Sequence, residues 1–244
     1  MIRKTIAFTL AETLIVMGII GIVSALTLPN LNSSTGEKEK VAKVKKIYQN
    51  LDDALGRAQA VYGPIEEWFI NDTTAEAKVK RFAERMTEFM KVSKNCGNST
   101  GCWSTAPLLY SDGSHWNDNY FQDSRNSCQF FILADGTALA LSGDDYYSRI
   151  RVDIDGPNKG KTQYGIDIFD FTIEIFGDLN GIENIGILIP SAIPNNWTGK
   201  LFKDDAYSTA WVIKNDNMDY LKLDSSEKCP DGKELNWETK TSCK

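Results

Sequence analysis

The sequence predicts an α+β protein, with one long helix at the N-terminus attached to a single strand-rich domain. Three observations carry this. Residues 14–28 form an apolar run without a charge. Val41, Val44, Tyr48, Leu51, Leu55, Ala58 and Tyr62 recur at alternating spacings of three and four, which is the period of a helix. Beyond residue 128, short β-branched and aromatic runs alternate with turn signals.

The N-terminal charges fall at Arg3, Lys4 and Glu12, and the next is Glu37. Residues 8–28 would make about 30 Å of helix, the thickness of a bilayer's hydrocarbon core. Arg3 and Lys4 would hold the N-terminus on the cytoplasmic side, so the rest of the chain is expected to be exported. An ordinary secretory signal would instead be cut after Val23-Ser24-Ala25 and release a secreted binding or hydrolytic domain. Glu12 argues against that alternative. A carboxylate in an apolar segment costs about 2.5–3.5 kcal/mol on insertion scales, so it normally has a partner.

Ala7-Phe8-Thr9-Leu10-Ala11-Glu12 and the apolar run that follows resemble the processing site of type IV pilins and of the pseudopilins of type II secretion. The resemblance covers roughly the first 30 residues. Ala7 stands where the family usually has glycine, and Ala11 where it usually has a larger aliphatic residue. The resemblance implies cleavage by a prepilin peptidase between Ala7 and Phe8, followed by N-methylation of Phe8. It also implies assembly into a pilus or pseudopilus through a helix carrying Glu12 and Pro29. Glu12 lies about one turn from Phe8, so it would meet the Phe8 amine of a neighbouring subunit, each charge tolerable only when paired. The implied partners are copies of the chain, other pilin-like subunits, the prepilin peptidase, an inner-membrane assembly platform and membrane lipid. The implied place is the inner membrane, as a single-pass protein, and then a periplasmic or extracellular filament. The implied fold is pilin-like: a helix with a membrane half and an amphipathic half, the latter packed on an antiparallel sheet. No enzymatic activity is expected.

These readings divide the chain into a cytoplasmic leader (1–7), a transmembrane and assembly helix (8–30), its amphipathic continuation (31–62) and a globular exported α+β head domain (63–244). Pro29 is expected to kink the first helix, since it removes one helical hydrogen bond. Residues 30–36 are polar and expected to be loosely helical. Lys38, Lys40, Lys43, Lys45 and Lys46 read as a solvated helix face, with anionic headgroups or acidic neighbours as the other candidates. Gly63-Pro64 ends the stripe. Residues 75–94 form a second helix candidate, with Val79, Phe82, Met86, Phe89 and Met90 on one side. Residues 128–134 and 137–141 flank Asp135-Gly136 as a hairpin. Further strands are expected at 149–154, 169–176, 185–189 and 209–213. Residues 211–223 read as a second hairpin about Asn215-Asp216-Asn217.

Five cysteines are present. Cys229 and Cys243 flank a polar loop whose closure would stabilise by about 3 kcal/mol, and such a loop resembles the exposed C-terminal region of type IV pilins. Cys96 and Cys102 are candidates for a second short loop. This leaves Cys128 in a strand, with its pairing to Cys96 or Cys102 an open alternative.

The only histidine, His115, sits in a polar loop, and no GxSxG accompanies it, so a catalytic triad is not expected. The segment 156–162 ends in Gly-Lys-Thr, yet Asp155 stands where a phosphate loop needs its first glycine. Asp153, Asp155 and Asn158 are candidates for a calcium site, because hard cations take such oxygens; turn residues bonding their own backbone explain them equally. With 27 Lys+Arg against 33 Asp+Glu the net charge is -6, which disfavours general nucleic-acid binding.

Overall fold

The computed structural model describes residues 10–111, 113–115, 128–143, 147–175, 186–190 and 206–243. The chain divides into two compact units, residues 1–39 and 40–244. Helix α1 runs from Leu10 to Tyr62 without interruption, through both Pro29 and the polar stretch 30–36.

In the first unit, burial is described for residues 10–22 and 36–39 of α1, and residues 10–22 are all exposed. The expectation of a pilin-like fold with a membrane half in this helix is corrected here. Among the described residues no helix is long and apolar enough to cross a membrane. The single-pass inner-membrane placement is corrected by the same finding.

The second unit is a six-stranded antiparallel meander, in order β1-β2-β3-β4-β5-β6. The strands are β1 (Val92–Gly97), β2 (Gln129–Leu133), β3 (Ala138–Gly143), β4 (Tyr147–Asp153), β5 (Ile168–Glu174) and β6 (Leu188–Pro190). Strand alternation sorts the side chains onto two faces. Phe131, Leu133, Leu139, Leu141, Ile150, Val152, Phe169, Phe171 and Ile173 enter the main core. Val41, Val44, Ile47, Leu51, Ala54, Leu55 and Ala58 of α1 join that core, so the three-four stripe is a packing face on a sheet. Phe130, Ala138, Ala140 and Ile168 belong to a smaller cluster with Trp103, Cys102, Cys128 and Tyr164.

Helix α2 (Ala75–Thr87) starts at Thr74, whose Oγ1 accepts the Ala77 N–H at 3.2 Å. It ends seven residues before the expected limit of 94, because Val92 and Lys94 instead pair with Leu133 and Ile132 of β2. The expected strand at 209–213 and hairpin at 211–223 are helix α3 (Ala206–Asn215) followed by a 3-10 turn, Asp219–Lys222. Residues 208–212 are buried on every side, so the burial pattern has no period to read. Asp216 closes the helix in a left-handed conformation (φ 56°), its N–H bonded to the Val212 carbonyl at 3.1 Å.

Candidate functional site

The carboxylates singled out from the sequence meet at the end of β4. Asp153 closes that strand and is completely buried. Its Oδ1 accepts the N–H groups of Asp155 (3.1 Å) and Gly156 (3.0 Å), while Oδ2 has no hydrogen-bond partner. Burial pushes this carboxyl up to about 6 against those two bonds, and the neighbouring charges of Asp167 and Asp155 push the same way.

Asp167 is also buried; its Oδ2 accepts the Lys161 N–H at 2.6 Å. Lys40 of α1 places its ammonium 2.6 Å from Asp167 and 3.6 Å from Asp155, and Lys43 lies 3.3 Å from Asp155. Two lysines thus supply the positive charge that a hard cation would supply. Asn158 is exposed in the turn that follows, apart from the buried pair. Among the described residues no three acidic, histidine or cysteine side chains are placed to hold a metal ion.

Lys40 is the functional contact that the sequence reading missed. It lies four residues before Val44, seven before Ile47 and eleven before Leu51, in phase with the buried stripe. A lysine in phase with a core stripe signals a buried carboxylate partner, and that signal was readable. Reading all five lysines as one solvated face concealed it. Lys45 pairs with Asp216 at 2.5 Å and Lys46 with Asp135 at 2.9 Å.

The other singled-out residues are scattered. Ala7 and Phe8 lie outside the described residues. Glu12 is in the first turn of α1 and exposed; Pro29 lies within α1. Cys96 is bonded to Cys102 and Cys229 to Cys243, and Cys128 is buried and belongs to neither disulfide. His115 is exposed on the Leu109 bridge. The segment 156–162 leads into β5 rather than a helix, so no helix dipole would meet a phosphate.

The described part of the first unit offers a surface instead of a polar site. Leu10, Leu14, Ile15, Val16, Met17, Ile19, Ile20 and Ile22 are each at least half exposed. Successive residues turn by 100°, so these side chains occupy every side of the helix.

No protein-family model matches the chain, and no solved structure matches it. A curated relative, the probable flagellum biosynthesis repressor protein FlbT of Caulobacter sp. (strain K31), is 37% identical over 65 residues, 27% of this chain. The chain spans 49% of that relative's length. The expected pilus or type II secretion subunit is corrected by this comparison, whose named protein is a flagellar repressor, together with the absence of a membrane-crossing helix among the described residues.

Proposed function

We propose that the chain is a non-enzymatic interaction protein that associates with copies of itself through residues 10–22. The all-round exposure of large apolar side chains on that stretch carries the reading. A helix apolar on one side needs one groove; a helix apolar on every side needs several neighbours. Several copies of the same helix, arranged symmetrically, supply them without requiring a second gene product. Burying eight such side chains releases on the order of 10 kcal/mol, enough to offset the loss of translational freedom.

Sedimentation equilibrium of the full chain tests this. The expected wild-type mass is a multiple of 27.3 kDa, and Ile15→Lys with Ile19→Lys is expected to return it to the monomer with an unchanged thermal transition. A wild-type monomer at tens of micromolar, a concentration where about −8 kcal/mol would already give dimer, refutes the reading.

The partial likeness to a flagellum biosynthesis repressor supports a second reading, regulation of flagellum production by a bound partner. Deletion of the gene in a flagellated host would then change flagellin abundance, and unchanged flagellin refutes it.

A further inference from the structure

A groove of about 340 Å³ opens in the second unit, beside the flank of α1 turned away from Asp216. Its floor is apolar: Phe89 and Met90 from the turn after α2, and Leu133 from the end of β2. Its walls carry three cations, Lys46, Arg57 and Lys91, against two acids, Asp53 and Asp135. Lys46 pairs with Asp135 at 2.9 Å and Arg57 with Asp53 at 3.6 Å. The Arg57 guanidinium also lies over the Phe89 ring, 5.1 Å from its centre.

Lys91 is the cation left over. Its carbonyl accepts the Ala134 N–H at 2.8 Å, which fixes the residue at the groove's edge. Its ammonium forms no ion pair or hydrogen bond among the described residues. Both existing ion pairs are exposed, so they yield readily to a competing carboxylate. The volume falls in the range of small-ligand sites, which combine an apolar floor with a few placed polar groups.

We propose that this groove binds a carboxylate carried beside an apolar body the size of one aromatic ring, with Lys91 meeting the carboxylate and Phe89, Met90 and Leu133 receiving the body. Two sources share that chemistry, a small aromatic acid and an acidic peptide segment. Calorimetric titration of the full chain with 4-phenylbutyrate and with acetyl-Gly-Phe-Asp-Gly-amide separates them. Saturable binding of both assigns the groove to free carboxylates as well as peptides; binding of the peptide alone assigns it to an acidic protein segment. Either result supports the proposal if Lys91→Glu weakens binding on the order of tenfold while Lys91→Arg preserves it. Lys91 is exposed, so both variants keep the fold, which circular dichroism checks. No binding of either probe, equal binding of acetyl-Gly-Phe-Asn-Gly-amide, or unchanged affinity in Lys91→Glu overturns it.

Discussion

Replacing Asp153 by asparagine isolates the energetic cost of one buried carboxylate. In the folded chain its pKa rises from the ordinary 3.8 to about 6, with burial as the leading cause. A group that holds its proton more tightly when folded favours folding only while that proton is present. Its contribution is therefore greatest below pH 3.8, falls as the pH rises to about 6, and then stays at its minimum. The displacement corresponds to about 3 kcal/mol lost between pH 4 and pH 7. Asparagine keeps an Oδ1 to accept the N–H groups of Asp155 and Gly156, and it carries no charge at any of these pH values. Asp153→Asn is therefore expected to match the wild type near pH 4 and to exceed it by up to about 3 kcal/mol at pH 7.5. Urea unfolding at four pH values, followed by tryptophan fluorescence, measures the difference; urea leaves electrostatics unscreened where guanidinium does not. A stability difference that stays constant from pH 4 to pH 7.5 would refute the assignment of a proton to this carboxyl.

Three further outcomes follow from the same region and from the C-terminal loop. Lys40→Met leaves the buried Asp167 carboxylate without its ammonium, and is expected to cost about 2 kcal/mol in urea unfolding at pH 7, below the value for a fully buried pair because Lys40 is partly exposed. Gly160→Ala would place a Cβ 2.6 Å from the Asp167 carboxylate at a residue with φ of 69°, so a loss of about 2 kcal/mol is expected, and no change in melting temperature would contradict that crowding. Cys229→Ser with Cys243→Ser opens a loop of sequence separation 14, with an expected loss of about 3 kcal/mol that reduction of the wild type should reproduce in part.

Legibility from sequence followed the strength of local periodicity. The Asp135-Gly136 turn and its two flanking runs are β2 and β3, because a short turn leaves their pairing little choice: Gln129 faces Leu141 and Ile132 faces Ala138. The stripe from Val41 to Ala58 was equally plain, since one face of that helix is buried and the other is not. Residues 208–212 failed for the opposite reason. They are buried throughout, so β-branched Thr209, Val212 and Ile213 suggested a strand while packing around Trp211 selected a helix. The end of α2 failed because strand pairing of Val92 to β2 is a contact across many residues that helical periodicity does not encode. At the candidate site the aspartates were legible as a turn-rich acidic loop. Lys40 was legible as a lysine in phase with the core stripe, but its pairing with Asp167 was not, because the two lie more than a hundred residues apart in the chain.

The four lysines of α1 act together on the helix's rotation. Lys43 and Lys46 lie on one side of the buried stripe and reach Asp155 and Asp135; Lys45 lies on the other and reaches Asp216. Lys40 is anchored between them on Asp167. Turning the helix clockwise stretches one set of pairs, and turning it anticlockwise stretches the other. An aliphatic stripe alone tolerates some roll, since apolar contact is not directional. With charges on both flanks the angle itself is held, and inserting one residue between Lys46 and Leu51 would set these charges 100° out of phase with the stripe from Leu51 onward.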